Sequence, residues 1–583
     1  MKRVHDDISV PADGNVPGEA SAGVAAENGP GKAGNSALSP GPAGGAAGGG
    51  AAGHSRKKCP YLDTINRNVL DFDFEKLCSV SLSNNNVYAC LVCGKYFQGR
   101  GRNTHAYTHS VQHSHHVFIN LRTCHVYCLP DSYEVVDSSL EDIQRALDPR
   151  YSPAAITALD QNTTLSRDQY GVAYLPGFVG LNNLKCTDFV NVVLHALAHV
   201  PPLRDFFVAP SNYKDSKAPL VHAFGEVIRR VWSPSNFKSA VSPHEFIQAV
   251  SYASKKRFKP GVQSEAVDFL SWLLNSLHQG LGGTRKPGSS VIFQTFQGLV
   301  EVETLTKKKT KTLGDDDDEG GGGARKMVSE EWNEEEMGFD EADWDKKQAE
   351  VPFLHLTLDI PATPLFKDSQ GGNIIPQIPL FKVLDKYNGQ NWTDVVKGGV
   401  LTRKRYILRR LPSRYLIFHL ARFTKNNFYV EKNPTIVNFP VKNLELKDWL
   451  RADDPGLPKE EELAGMSIGQ LKAHLSKYGI SSRDCVERSH LEEKVRDTLI
   501  KTVPELLATK YNLLANICHD SPPGQGKEGQ TDPLSAGCYR AHVQNKATEQ
   551  WYEVQDLHVQ ETMPQLIGLS ESYIIIYERK RGV

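Results

Sequence analysis

Gly180-Leu181-Asn182-Asn183-Leu184-Lys185-Cys186-Thr187-Asp188-Phe189-Val190-Asn191 is the stretch on which the reading of this chain turns. It places a thiol, Cys186, two residues before a carboxylate, Asp188. A thiolate attacks an amide carbonyl once its pKa is lowered, whereas a carboxylate is a poor nucleophile for acyl transfer. Asp188 is therefore not expected to cleave peptide bonds, and Cys186 is expected as a buried thiol near a helix start. Substitution of Asp188 is expected to matter only through packing. Far downstream, Gly537-Cys538-Tyr539-Arg540-Ala541 is followed by Trp551-Tyr552-Glu553-Val554-Gln555-Asp556. His542 lies four residues beyond Cys538, about 13 Å along a strand, too far for a proton-transfer pair.

These segments resemble the two catalytic boxes of the ubiquitin-specific peptidases, Gly-Leu-x-Asn-Leu-Gly-Asn-Thr-Cys-Tyr-Met-Asn and Gly-His-Tyr. By that resemblance Asp188 stands on the nucleophile, Cys538 on the histidine base, and Gln555 on the base-orienting acid, with Asp556 one position away. Cys186 falls on the asparagine associated with oxyanion stabilisation. Without an imidazole no Cys-His-Asp relay can be assembled, so no catalytic residue is assigned and the chain is expected not to be an enzyme. Ser264-Glu265-Ala266-Val267-Asp268-Phe269, continuing through Leu270, Trp272, Leu273, Leu274 and Leu277 to His278, resembles the family's Gln-Asp-Ala-x-Glu-Phe helix and carries helical apolar spacing. Pro412 through Pro440 resembles the family's central strands. The resemblance implies an α+β, papain-like ubiquitin-specific peptidase fold over residues 171–583, preceded by a small zinc-stabilised α/β finger.

Within the family, the chain resembles the inactive splicing factors of the tri-snRNP. Leu175-Pro176-Gly177, Val200-Pro201-Pro202-Leu203-Arg204 and Arg422-Phe423-Thr424-Lys425-Asn426-Asn427-Phe428 carry that resemblance. It implies a nuclear, noncatalytic pre-mRNA splicing factor that supports tri-snRNP assembly or stability through protein contacts. A ubiquitin-binding adaptor is the alternative, and an active deubiquitinating thiol protease a more distant one.

Six of the ten cysteines precede residue 130, beside several histidines, a metal-site pattern and not a disulfide scaffold. Cys90-x2-Cys93 is followed by His105, His109 and His115. Two sulfurs from a knuckle and two imidazoles suit a closed tetrahedral zinc site. With Gly99-Arg100 and His105-Ala106, the region 56–153 resembles the zinc finger of ubiquitin hydrolases. That motif implies Cys90, Cys93, His109 and His115 as one quartet, with adjacent His116 an alternative fourth ligand. Cys59, Cys78, His105 and Cys128 remain as a second site or parts of two. Zinc here is structural, and removing Cys90 or Cys93 is expected to unfold the finger. Arg100, Tyr96 and Tyr107 are candidates for a pocket that captures the ubiquitin C terminus, but no tryptophan lies between Cys78 and Cys93.

Lysine plus arginine total 67 against 68 acidic residues, a net charge of -1 that gives no global drive toward nucleic acid. RNA contact is expected to be indirect or weak. Residues 1–55, rich in Gly, Ala, Ser and Pro, are expected as a disordered tail. No apolar run is long enough for a membrane span, which favours an intracellular protein without a membrane partner. Two insertions are expected in the large domain. Residues 304–350, with Asp315 through Glu319 and a glycine run, read as a disordered charged excursion. Residues 464–500 read as a helical SAP-like pair, with Ile468, Leu471 and Leu475 at helical spacing. Lys472, Lys477 and Arg483 are its candidate phosphate contacts, offset by Glu487, Glu492 and Glu493.

Overall fold

The computed structural model describes residues 59–307, 344–362, 375–397, 400–425, 430–451, 463, 465–477, 480, 482, 485, 487–498, 509–521 and 532–580. The expected disordered tail 1–55 lies outside the described residues, as do residues 308–343 of the charged insertion and Arg483.

The N-terminal unit is an antiparallel sheet in the order β2-β1-β3-β4-β5, formed by Val87–Cys90 (β1), Tyr96–Gln98 (β2), Val117–Asn120 (β3), Val126–Cys128 (β4) and Tyr133–Val135 (β5). Helix α1, His105–His113, crosses between β2 and β3 and stops where Ser114 turns left-handed at φ 57°. Alternation along the strands divides the sheet's residues. Val87, Ala89, Val117, Ile119 and Val126 enter the main finger core, while Tyr88, Cys90 and Phe118 face the helix-side cluster with Ala106.

A strap, Asp71 to Lys76, fastens this unit to the large domain. Arg230, buried near the end of the helix Pro219–Val231, pairs with Asp73 and donates to Glu226 at 2.8 Å. Lys76 bridges Glu226 (3.0 Å) and Glu245 (3.4 Å), and Asp73 accepts the Ser242 amide at 2.9 Å. Burial raises the Asp73 pKa, opposed by the charge of Arg230. Buried ions are tolerated only when paired and hydrogen-bonded, so the groups hold one another in place.

The large domain sets helices on one face of an eight-stranded sheet. The main helices are Asp188–Ala198 (α2), Pro219–Val231 (α3) and Ala266–Gly280 (α4). The sheet runs β8-β11-β16-β12-β13-β14-β15, from Leu356–Asp359 (β8) and Tyr415–Ala421 (β11) through Lys510–Asp520 (β12), Cys538–Gln544 (β13), Trp551–Gln555 (β14) and His558–Thr562 (β15), with Ser572–Arg579 (β16) between β11 and β12. Its eighth strand, Leu444–Glu445, pairs with β12. Ile517, Tyr539, Ala541, Val543, Ile574 and Ile576 meet the helices, while Leu416, Phe418, Leu513, Ile575 and Tyr577 form a second core on the opposite face. Strands buried on both faces need an apolar residue at nearly every position, which Ile574-Ile575-Ile576 supplies.

The second core leads into a four-stranded antiparallel sheet, β7-β6-β10-β9, made of Gly298–Lys307 (β6), Trp344–Phe353 (β7), Asn388–Lys397 (β9) and Val400–Arg410 (β10). This corrects the expected boundary of the charged insertion. Residues 304–307 and 344–350 are paired in an unbroken β6–β7 ladder. Their polar side chains stay ordered by cross-strand pairing. Glu303 bonds Arg405 Nε at 2.7 Å and also meets Lys346 and Gln348, while the Arg403 guanidinium lies 5.6 Å from the Trp344 ring. Alternate polar residues on one sheet face are compatible with a strand, and charge density alone misread them.

Within 464–500 the described residues include helices α5, Ile468–Lys477, and α6, Arg488–Asp497. They share a small core of Leu463, Leu471, Leu475, Leu491 and Val495.

The strap predicts that Arg230→Ala, which strands Asp73 and Glu226 without their shared cation, costs about 3–5 kcal/mol. Hydrogen exchange is expected to rise across residues 71–76 while the strands β1 to β3 keep their protection. Unchanged exchange in the strap would refute this role for Arg230.

Candidate functional site

Asp188 opens helix α2, every residue of which is buried. Its Oδ2 accepts the backbone amide of Tyr539 at 2.8 Å and the Gln263 side-chain amide at 3.1 Å. Its Oδ1 is buried with no partner. Burial raises the Asp188 pKa above the usual carboxylate value; the two donors oppose that shift and the nearby Asp556 charge adds to it. The carboxylate works as an acceptor for a strand amide.

Cys538, at the start of β13, has its sulfur 3.2 Å from the Gln555 Nε2, which donates to it. Burial raises its thiol pKa, as do the charges of Asp520 and Asp188. Gln555 and not Asp556 is therefore the residue that faces Cys538. Asp556 turns the other way, accepting from Asn191 Nδ2 (2.8 Å) and Asn183 Nδ2 (3.0 Å). It ties the tight turn after β14 to the loop that precedes α2.

Cys186 is exposed, contrary to the expectation of a buried thiol. Lys185 and Cys186 both adopt left-handed backbone, φ 65° and 52°, and the Lys185 carbonyl accepts the Gly261 amide at 2.7 Å. This turn swings the thiol outward before the helix begins. His542 is buried in β13, with Nε2 3.1 Å from Glu553. Burial opposes its charge, but the Cys518 sulfur and Glu553 outweigh that and raise its pKa to about 9.

Sequence reasoning missed His519, which lies opposite Tyr539 in the β12–β13 register. A Cβ at Gly537 would fall 2.2 Å from its ring, so only glycine fits there. Burial lowers the His519 pKa to about 3, and its Nε2 has no partner. Nδ1 lies 3.3 Å from Ser521 Oγ, so neither nitrogen is bonded to Cys538 or Asp188. Only strand pairing across 20 residues reveals it, and no local motif does.

In the finger, Cys90, Cys93, His109 and His115 present four ligand atoms within 4.8 Å of one another. Cys90 Sγ is 3.5 Å from His115 Nδ1, Cys93 Sγ is 3.4 Å from His109 Nε2, and the two nitrogens are 3.0 Å apart. Zinc bonds of about 2.3 Å to sulfur and about 2.0 Å to nitrogen give tetrahedral S···N edges of about 3.5 Å and N···N edges of about 3.3 Å. The donor set therefore fits a closed zinc site, and zinc is the finger's cofactor. The Cys93 pKa falls to about 4, chiefly through its contact with Cys90, with burial opposing and His115 and His109 assisting. His116 is bonded elsewhere, its Nδ1 2.8 Å from the Leu129 carbonyl.

Among the described residues Cys59, Cys78, His105 and Cys128 form no metal-sized group, which corrects the second set as a single site, although Cys59 and Cys128 meet each other. Among the described residues the quartet is the only metal-sized group of His, Cys, Asp or Glu. Cys59 and Cys128 join the apolar finger core, where burial raises the Cys128 thiol to about 11. Cys78 instead accepts the Ser81 amide at 3.4 Å, and Ser81 Oγ donates to Gln98 at 2.9 Å. Neutral side chains thus bond where an ion's ligands were expected, and His105 is merely the first residue of α1. Of the ubiquitin-tail candidates, Tyr96 is turned inward, its hydroxyl donating to the Asp71 carbonyl. Arg100 lies 4.0 Å over the Tyr127 ring and donates to Ser132 O at 3.3 Å.

A helical layer on a mixed sheet, entered by a helix whose first residue meets the amide after Cys538, is the papain-like architecture of ubiquitin hydrolases, here carrying a Cys/His finger. The family model "Ubiquitin carboxyl-terminal hydrolase" matches residues 179–577, and "Zn-finger in ubiquitin-hydrolases and other protein" matches residues 78–140. The chain belongs to the ubiquitin carboxyl-terminal hydrolase family. It is 45% identical over 531 residues to "Ubiquitin carboxyl-terminal hydrolase 39" of Homo sapiens, covering 90% of this chain and 80% of that protein. It is 39% identical over 523 residues to "Probable mRNA-splicing protein ubp10" of Schizosaccharomyces pombe, covering 89% and 88%. Among solved structures, the "Crystal structure of an essential yeast splicing factor" shares the fold with TM-score 0.61 at 24% identity, covering 89% of this chain and 100% of that one.

Asp188 makes a pH-dependent prediction. Its raised folded pKa means that the neutral carboxyl is favoured in the folded state; that advantage is complete below about pH 3.9 and is lost as pH rises through the raised value. Asp188→Asn, which keeps an acceptor for Tyr539 without charge, is expected to match or exceed the parent's stability at neutral pH and to lose any gain in acid. Asp188→Ala leaves the Tyr539 amide unpaired and is expected to cost about 1–3 kcal/mol. Denaturant titrations across pH measure both. A parent more stable than Asp188→Asn at neutral pH would exclude this account.

Proposed function

We propose that this chain is a noncatalytic pre-mRNA splicing factor that supports tri-snRNP assembly or stability in the nucleus through protein contacts. The observation that carries the noncatalytic part is the committed Asp188 carboxylate. On this reading Asp188, Cys538 and Gln555 replace the nucleophile, base and orienting acid. The Gln555–Cys538 contact keeps the geometry of an orienting pair without a group that can take and return a proton near neutrality. The splicing part is supported by similarity to proteins whose names state that role. Among the described residues no helix is long and apolar enough to cross a membrane.

Cys90, Cys93, His109 and His115 hold zinc on this reading, and the ion's work is structural because four protein ligands leave no position for a reactive water. The units serve as 56–153 finger and 171–583 peptidase-like body, with 464–500 as an added helical pair. On the alternative, adaptor reading ubiquitin is a partner of the body, because in the finger Arg100 is already engaged by Tyr127 and Ser132. RNA contact is indirect or weak, since Arg488 of the helical pair bonds Glu492 at 2.7 Å and Glu487 and Glu493 lie close in sequence.

Two outcomes are expected. Tagged protein isolated from nuclear extract at moderate salt is expected to enrich tri-snRNP proteins and small nuclear RNAs, and to leave ubiquitin conjugates uncleaved in a turnover assay. Enrichment of ubiquitin conjugates without tri-snRNP components would replace this reading with the adaptor. For the finger, zinc chelation or Cys93→Ser is expected to abolish amide protection across β1 to β3 while the body's sheet stays protected. Retained finger protection in a metal-free sample would rule out a structural zinc.

A further inference from the structure

The eight-stranded sheet ends on two different kinds of edge. At one end β8 is buried through Leu356, Thr357 and Leu358. The Thr357 carbonyl accepts from the Tyr387 hydroxyl at 3.0 Å and from Lys386 Nζ at 3.4 Å, so that edge is capped by side chains. At the other end, among the described residues, β15 has β14 on one side and no strand on the other. His558, Gln560 and Glu561 are exposed there.

Strand β15 is joined to β14 by the two-residue turn Asp556-Leu557, and its first pair is Gln555 with His558. In a two-residue hairpin the pair beside the turn exchanges both hydrogen bonds, and bonded pairs then alternate. Val559 and Glu561 therefore direct their amides and carbonyls away from β14. Among the described residues no backbone group meets them.

Natural edges are blunted by lysine, proline, bulges or a covering segment. His558-Val559-Gln560-Glu561-Thr562 has no lysine or proline, and its register with β14 is unbroken. The flanks are apolar and open: Leu557, Met563, Leu566 and Leu569 are each more than half exposed. The charge is one-sided as well. From Glu549 to Glu571 there are acidic residues but no lysine or arginine. Glu549, Glu553 and Glu571 are paired with Lys442, Arg540 and Lys432, and Asp556 with two asparagines. Glu561 stands exposed at the edge itself.

We propose that β15 is a docking edge that accepts an extended, basic and apolar segment of a partner protein as an added strand. Val559 and Glu561 supply the open backbone bonds, Glu561 selects a basic residue opposite it, and the flanking leucines and Met563 take apolar side chains. That the segment comes from a partner protein rests on the scaffold reading above; the chemistry of the edge does not.

The test uses the full chain and a capped synthetic peptide of alternating valine and lysine, with a valine–glutamate peptide as control. Saturable binding of the lysine peptide is expected, with new amide-exchange protection at Val559 and Glu561. Glu561→Pro removes an outward amide and no ladder bond, and is expected to weaken binding by about tenfold. Glu561→Lys is expected to shift preference toward the glutamate peptide, which keeps the test decisive if the proline variant is unstable. Absence of saturable binding at millimolar peptide, or protection confined to another region, overturns the proposal. Self-association of the free chain that Glu561→Pro abolishes would also overturn it, by giving the edge to a second copy. No spliceosomal component is present, so failure here and failure of the splicing reading are separate results.

Discussion

The bond from the Tyr539 amide to Asp188 joins residues 351 positions apart and sets the helical layer against the sheet. Tyr539 extends the same junction with its hydroxyl, which accepts the Ala266 amide at the start of α4 at 3.3 Å, and with its ring, 5.8 Å from that of Tyr573. Tyr573 in turn donates to Glu265 at 2.8 Å. Two helix N-termini are thus fixed to adjacent parts of one sheet. An oxygen acceptor is suited to this position because it takes the strand amide whether or not it carries charge. A thiol is a weak acceptor, so the residue present answers to packing, and proteolytic chemistry is not needed to explain it.

The same junction shapes what surrounds it. Gln263 reaches Asp188 and the Gly261 amide reaches the Lys185 carbonyl, so the segment before α4 is fastened to the loop before α2 at two points. Asp556 fastens that loop from the opposite side through Asn183 and Asn191. These elements bond one another directly, so the junction is held from both sides.

The layout was legible where chemistry is local. Gly180 through Asn191 and Gly537 through Asp556 each carry their pattern within about a dozen residues, and Cys90, Cys93, His109 and His115 announce an ion by residue type and spacing. Features set by distant pairing were not legible. His519 meets the site only through strand register, and the outward turn of Cys186 depends on two left-handed residues that nothing in its own chemistry requires. The leftover thiols misled for the opposite reason. Cys59 and Cys128 look like ligands as residue types, but a small apolar core accepts a thiol readily, and Cys78 takes a backbone amide instead. The charged stretch 304–350 shows a further limit. Glu303 and Arg405 come from strands separated by about a hundred positions, so their mutual neutralisation cannot be read from the run of charges on either side.

The strap gives the whole a mechanical character. Arg230 belongs to α3 of the body, while Asp73 belongs to the chain leading into the finger, and the pair is buried where salt screens it little. Two folded units joined only by a linker would move independently. Joined through paired buried charges, they hold a fixed separation, and a partner that touches both sees one surface. Zinc then matters beyond the finger. It secures the short strands that position the Tyr96 hydroxyl on the Asp71 carbonyl, and Asp71 begins the strap itself. Loss of the ion would propagate along that route from the finger to its seat on the body, coupling a structural metal to the geometry that a scaffold must keep.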